Sequence, residues 1–185
     1  MPALSVRWRT VRAACIAVFT GALLFASAAW ADDPVVEAVD WLWSSRLTVF
    51  GATGLVVVIC IALHYEALGY LTSRLKNLEL PLRARILVLI VSIVLIHVVQ
   101  VWIFGGAYYF LVVVGGHGAL VANHVIGLLD CVYFSTVSFT TLGLGDIVPT
   151  GDIRFLVGTE ALVGFVLITW SASFTFVEMQ RYWKT

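Results

Sequence analysis

The residues best placed to do chemistry form one short run, Thr140-Thr141-Leu142-Gly143-Leu144-Gly145-Asp146. Alternating glycines suit neither a helix nor a packed strand, because glycine reaches backbone conformations that are closed to other residues. Such a run can turn its peptide carbonyl oxygens in one direction. Within a membrane, carbonyls that lack helical or sheet partners must line water or bind something. The run therefore predicts a cation site made of backbone oxygens.

The composition around this run is that of an integral membrane protein. Of the 185 residues, 61% are hydrophobic and 12% are charged, whereas a soluble domain averages about 45–50% apolar and about 25% charged residues. The net charge of +0 at pH 7 provides no basic patch for phosphate groups, so we expect no nucleic acid partner. We expect the lipid bilayer to be the main surrounding of an all-α chain.

Residues 1–31 have the pattern of a secretory signal peptide, with a basic head, a short apolar run and an A-x-A site. An uncleaved first helix is the alternative, since the apolar run nearly reaches spanning length. Residues 32–46 follow as an acidic segment that we expect outside the membrane. Its Trp41 and Trp43 suit the headgroup level of a bilayer.

Three later segments are long and apolar enough to cross a bilayer. The first is an extra transmembrane helix at 47–68, followed by a basic loop at 69–85. The second span begins at residue 86, and the last ends at 177, before the tail 178–185. Because basic residues collect in the loop and the tail, the positive-inside rule places both on the cytoplasmic side. The glycine run then lies on the external side.

A short helix is expected immediately before the glycine run. Residues 115–126 read as an external loop, and residues 127–139 allow only about three helical turns, too few to cross. Asp130 falls in the first turn, where a carboxylate suits the positive end of the helix dipole. A short helix followed by unwound backbone therefore enters the membrane from outside, between the second and last spans.

In this context the run resembles the T-T-V-G-Y-G-D pattern of tetrameric potassium channels. Residues 86–177 resemble that family's pore module: two spanning helices with a re-entrant pore helix and filter between them. The resemblance implies that K⁺ exchanges its hydration shell for filter oxygens, including the Thr141 hydroxyl. It implies an ion-binding filter of Thr141, Leu142, Gly143, Leu144 and Gly145, with K⁺ at the first four.

Further residues are expected to support this filter or to move the pore. The supporting residues are Thr140, Asp146, Tyr133, Phe134 and Glu160. Glu160 has an alternative place at the outer interface. Gly164 lies near the position of an inner-helix gating glycine in the family, and close helix packing through a small residue is its alternative role.

The resemblance implies a potassium-selective channel, with K⁺ as permeant ion and no cofactor. Leu144 replaces the pattern's tyrosine and cannot hydrogen-bond to the pore helix, so a weakly selective cation channel is an alternative. A non-conducting membrane accessory protein is a third. An enzyme is not expected, because no spacing such as H-E-x-x-H occurs.

One pore loop cannot surround an ion, so we expect a homotetramer with cyclic symmetry. No span has the regular cationic spacing of a voltage sensor, which leaves a leak-like pore, gating at the filter, or control by lipid, pH or an unlinked regulatory partner. We expect a bacterial inner (plasma) membrane location, with the filter outside and the C-terminus cytoplasmic.

Several polar residues lie apart from the filter. His97 and Gln100 are three residues apart on one face of the second span, which favours hydrogen bonds between helices over a metal site. His117 and His124 are expected in the external loop, either as plain loop residues or as sensors of external pH.

Overall fold

The computed structural model describes residues 36–77 and 81–183. The chain groups into two compact units, residues 1–42 and residues 43–185, and the packing described below is that of the second. The predicted signal peptide and the first part of the acidic segment, residues 32–35, lie outside the described residues. From Val36 onward the acidic segment is helical and continues into the first long helix.

Long helices dominate the described chain, and three of them have spans apolar enough to cross a membrane: Ser45–Leu75, Arg83–Val114 and Gly151–Arg181. The prediction of an all-α membrane protein with one extra helix before the pore module is confirmed. In chain order the helices are α1 (Val36–Asn77), α2 (Leu82–Tyr108), α3 (Leu128–Phe139) and α4 (Arg154–Trp183).

The basic segment 69–85 is largely helical, where a loop was expected. α1 continues to Asn77 and α2 begins at Leu82, so most of this segment lies in the two helices. Leucine, arginine and lysine are good helix formers, and the charge of a long basic side chain can extend past the apolar surface. Pro81 is the N-cap of α2 with extended backbone, as expected of a residue that cannot continue a helix from before.

Two features of the segments that flank α3 and the glycine run were not predicted. α2 widens into a π-helix, Tyr109–Val114. The expected external loop contains a strand β1, Ala119–Val121, which pairs antiparallel with β2, Val148–Thr150, and a 3₁₀ turn at Gly151–Ile153 then leads into α4. The ladder ties the loop before α3 to the segment that follows the glycine run.

The main core lies where α3 packs between α2 and α4. Gly105 of α2 permits close approach, because a Cβ there would lie 2.8 Å from the Val132 Cα of α3. Large buried side chains fill the remaining space: Phe104, Tyr108, Phe134, Phe139 and Leu156. A second cluster joins α1 and α2 through Leu68, Leu71, Leu75, Leu89 and Ile93.

Candidate functional site

α3 aims the glycine run, and its first turn is fixed by Asp130. The Gly127 backbone N–H donates to Asp130 Oδ2 over 2.8 Å, and His124 Nε2 lies 3.0 Å from Asp130 Oδ1. The Gly127 hydrogen bond, and after it the one to His124, hold the pKa of Asp130 below its ordinary value. The carboxylate also lies at the positive end of the helix dipole, as predicted.

The sign of the backbone angle φ alternates along the run. φ is positive at Thr141 (58°), Gly143 (58°) and Gly145 (79°), but not at Leu142 or Leu144. In an ordinary extended chain successive carbonyls point to opposite sides. Reversing the sign of φ at every second residue turns alternate peptides over, so successive carbonyl oxygens can face one side. This is the backbone that a row of cation ligands requires.

The glycines of the run are needed because their φ is positive, not because a side chain there would clash with a neighbour. A Cβ at Gly143 or Gly145 would meet nothing within 4 Å. Thr141 adopts the same left-handed region although it has a side chain, at a cost of about 1–3 kcal/mol. It is the one non-glycine residue with positive φ in the described chain. The sequence pointed to the glycines but gave no sign of this strain at Thr141.

The start of the run is anchored on the last turn of α3. The Thr141 N–H donates to the Ser138 carbonyl over 2.9 Å, and the Leu142 N–H donates to the Val137 carbonyl over 2.9 Å. Thr140 donates its hydroxyl hydrogen to the Thr136 carbonyl over 2.7 Å. The hydroxyl and backbone donors thus satisfy carbonyls that a helix end would leave open.

The far end of the run is held by Tyr133. Its hydroxyl donates to Asp146 Oδ2 over 2.7 Å, and this hydrogen bond raises the pKa of the tyrosine. Only a packing role was predicted for Tyr133, and no partner was identified for Asp146. A thirteen-residue separation across a non-regular segment gives no periodic signal from which such a pair could be found. Phe134 lies edge-on to Tyr108, with ring centres 5.1 Å apart.

Glu160 of α4 is fully buried behind α3, not at the outer interface. Its two oxygens lie 2.5 Å from the Tyr108 hydroxyl and 2.5 Å from Ser135 Oγ. Ser135 Oγ is also 3.0 Å from the Val101 carbonyl. Because a hydroxyl has a single hydrogen, Ser135 cannot donate to both. A proton on Glu160 gives every atom a partner: Glu160 donates to Ser135, which donates to Val101, while Tyr108 donates to the second carboxyl oxygen.

If Glu160 is protonated in this way, Glu160→Gln should be tolerated and Glu160→Leu should not. A glutamine amide can donate to Ser135 and accept from Tyr108, as a protonated carboxyl does. Leucine leaves both hydroxyls without that partner, at about 1–3 kcal/mol each. The temperature at which the assembled protein dissociates in detergent should therefore fall sharply for the leucine variant and little for the glutamine variant. Equal destabilisation by both would show that the native carboxyl is ionised.

Gly164 of α4 contacts the end of α3 directly. A Cβ at this position would lie 2.1 Å from the Phe139 carbonyl oxygen, whereas a Cβ at Gly158 would meet nothing within 4 Å. The structure therefore provides the close helix packing that was one of the two roles considered for Gly164. The run, Glu160 and Gly164 all converge on α3.

The remaining histidines and Gln100 lie in two different settings. His117 Nδ1 is 2.9 Å from Ser45 Oγ at the start of the first spanning segment, and Ser45 donates to Asp152, just before α4, over 3.0 Å. The hydrogen bonds between helices predicted for His97 and Gln100 are present, to Ser171 of α4 and to the Cys60 carbonyl of α1. None of these groups contacts the run directly.

Comparison with known proteins bears on this whole arrangement. Residues 96–181 match the family model described as "Ion channel". The match takes in the second half of α2, the π-helix, α3, the glycine run and nearly all of α4, which are the elements that build the site. No significant match was found among curated proteins or among solved structures. Residues 96–181 are thus similar to the ion channel family, which supports a potassium-channel-like pore domain after α1 in this membrane protein.

Proposed function

We propose that the protein is a potassium-selective channel that conducts K⁺ passively through a filter with fourfold symmetry. The observation that carries this proposal is the alternating left-handed backbone at Thr141, Gly143 and Gly145. It lets the carbonyl oxygens of Thr141 to Leu144, with the Thr141 hydroxyl, take the place of water around a dehydrated K⁺.

The assembly proposed is a homotetramer, since a ring of ligands needs one run from each of four chains. The single chain leaves Leu142 64% and Leu144 58% exposed. Two leucines of this exposure, separated only by Gly143 and beside a strained backbone, support a site that neighbouring copies complete. The negative end of the α3 dipole lies at the start of the run, where it favours a cation.

We propose a bacterial inner (plasma) membrane location with the filter on the external side. Arg74 and Arg83 lie near the turn between α1 and α2, and Arg181 lies in the last turn of α4. With three spans these cations share one side, and the run lies towards the other. The positive-inside rule makes the basic side, and with it the C-terminus, cytoplasmic.

The test is K⁺ and Na⁺ flux from liposomes that hold the purified protein. We expect flux down a K⁺ gradient, block by barium, and little flux down an equal Na⁺ gradient. Absence of both fluxes would favour a non-conducting accessory protein.

A weakly selective cation channel is the second candidate, and Leu144 favours it. Leucine cannot donate a hydrogen bond to the pore helix, and the nearby Tyr133 is already bonded to Asp146. In that case the K⁺ and Na⁺ fluxes of the wild type should be similar. Leu144→Tyr should then raise the K⁺/Na⁺ flux ratio several-fold, and a tenfold rise would correspond to about 1.4 kcal/mol. Similar fluxes in both wild type and variant would show that bracing at this position does not set selectivity.

A further inference from the structure

Four polar side chains from three spans form a closed ring in the membrane part of the protein. They are His64 of α1, His97 and Gln100 of α2, and Ser171 of α4. The links are Gln100 Nε2 to His64 Nδ1 at 3.3 Å, His64 Nε2 to Ser171 Oγ at 3.3 Å, Ser171 Oγ to His97 Nε2 at 3.1 Å and His97 Nδ1 to Gln100 Oε1 at 2.9 Å. We call it the polar ring.

The donors and acceptors of the polar ring fix the tautomer of each imidazole. The Gln100 amide donates to the Cys60 carbonyl over 3.1 Å and to His64 Nδ1. His64 must then have its hydrogen on Nε2, which donates to Ser171. Ser171 donates in turn to His97 Nε2, and His97 Nδ1–H donates to Gln100 Oε1. Every bond runs in one sense, and both histidines are neutral.

The surroundings of the ring contain no counter-charge within the described chain. Neither imidazole has a carboxylate within ion-pair distance among the described ion pairs. The groups that face them from the packed helices are the Cys60 carbonyl, Trp170 with its ring 5.4 Å from His64, and Phe139 with its ring 5.7 Å from His97. The two imidazole centres are 5.4 Å apart, so a second proton on the pair would be strongly opposed.

One member of the ring can be reached from outside it. His64, Gln100 and Ser171 are buried, but His97 is only half-buried. It borders a cavity of about 300 Å³, which extends to Thr136 and Thr140 beside the glycine run. Histidine is the side chain whose ordinary pKa, about 6.5, brings it to titrate between about pH 5 and 8. A proton entering the ring would therefore arrive at His97 Nε2.

We propose that the polar ring is a proton-sensitive latch, which fixes α4 to α1 and α2 at neutral pH and releases it when His97 is protonated. The inference rests on the proposed channel function, whose regulation it describes. It also assigns a role to α1, which lies outside the residues that match the channel family.

Protonation acts on the link to α4 in particular. A charged His97 would point an N–H at Ser171 Oγ, so the serine oxygen would accept from both histidines and could no longer donate to His97. The serine hydrogen would lose its acceptor in the ring, and Ser171 is the ring's one member on α4. Polar and ionisable side chains inside a membrane cost free energy and commonly serve a function. A ring whose hydrogen bonds are complete only when both histidines are neutral has two states.

Acid is expected to lower the K⁺ flux, for two reasons that agree in sign. Release of α4 from α1 and α2 would disturb its packing on α3, which aims the glycine run. The imidazolium also lies against Phe139, two residues before Thr141, where a positive charge disfavours a nearby cation.

The experiment measures K⁺ flux from liposomes with equal pH on both sides, at about pH 7.5 and at about pH 5.5. The wild type should lose flux in acid by at least about fivefold, the lower end of ordinary coupling between sites. His97→Gln should remove this pH response. The double variant His117→Gln and His124→Gln, which changes the chain's other pair of histidines, should keep it.

A matched serine pair separates the latch from a general effect of mutation. Ser171→Ala removes the link to α4 without removing either histidine, so its flux at pH 7.5 should fall towards the acid level and should depend less on pH than the wild-type flux does. Ser173 bonds only within α4, to the Thr169 carbonyl over 3.0 Å, and Ser173→Ala should behave as wild type. Equal behaviour of the two variants would refute the latch.

Nitrogen NMR of labelled histidines gives a readout that does not depend on flux. At pH 7.5 His64 should carry its hydrogen on Nε2 and His97 on Nδ1, and the His97 signal should change to imidazolium over the range where flux falls. The same tautomer at both sites would overturn the ring. K⁺ flux that is present but equal at both pH values refutes the latch alone, whereas no flux at pH 7.5 refutes the channel proposal.

Discussion

Gly143→Asp is expected to abolish K⁺ flux without preventing assembly. Gly143 has φ of 58°, a region that aspartate enters more readily than most residues. A Cβ there meets no atom within 4 Å, so the chain can accommodate the change. Four carboxylates in the proposed ion path would bind a cation too tightly for it to leave, and conduction needs weak, successive sites. The K⁺ flux of the variant should be more than about 100-fold below that of the wild type, which corresponds to about 2.7 kcal/mol.

Gly116 provides the matched control for this prediction. It also has positive φ, 64°, and open space around its Cβ position, but it lies between the π-helix and β1, apart from the glycine run. Gly116→Asp therefore carries the same local backbone cost and the same added charge away from the proposed path. The two variants should assemble alike, as judged by size in detergent, and only Gly143→Asp should stop the flux. Conduction by both would place the ion path elsewhere.

The spans and the short helix were predictable because length and apolarity are local properties. The predicted start of the short helix, residue 127, is one position from the observed Leu128. Lipid requires that backbone hydrogen bonds be satisfied internally, so a long apolar run in this setting permits little except a helix. The same constraint made the glycine run conspicuous, since it could not be helical.

The parts that could not be predicted are pairings between distant residues. β1 and β2 are three residues each, too short for a strand pattern. The link between Tyr133 and Asp146 spans a non-regular segment. The polar ring joins His64 to Ser171, 107 residues apart. A sequence shows that each such group needs a partner in a membrane, but the partner follows only from how the helices pack.

Alanine at Gly164 and alanine at Gly158 are expected to change stability in opposite directions. Both glycines lie within α4, where alanine is intrinsically favoured over glycine by about 0.8–1.0 kcal/mol. At Gly158 that gain is available, because its Cβ position is open. At Gly164 the Cβ would lie 2.1 Å from the Phe139 carbonyl oxygen. A backbone atom cannot rotate away as a side chain can, so the cost should reach or exceed the usual about 1–3 kcal/mol of overpacking.

The comparison also decides between the two roles of Gly164. If close packing on α3 is its role, Gly164→Ala should lower the temperature of thermal dissociation in detergent and reduce K⁺ flux together, because the displaced α3 no longer aims the glycine run. If a hinge is its role, alanine should leave stability intact and impair flux alone. Gly158→Ala should raise stability and leave flux unchanged under either role. Since the Phe139 carbonyl occupies the space that alanine needs, we expect the joint loss.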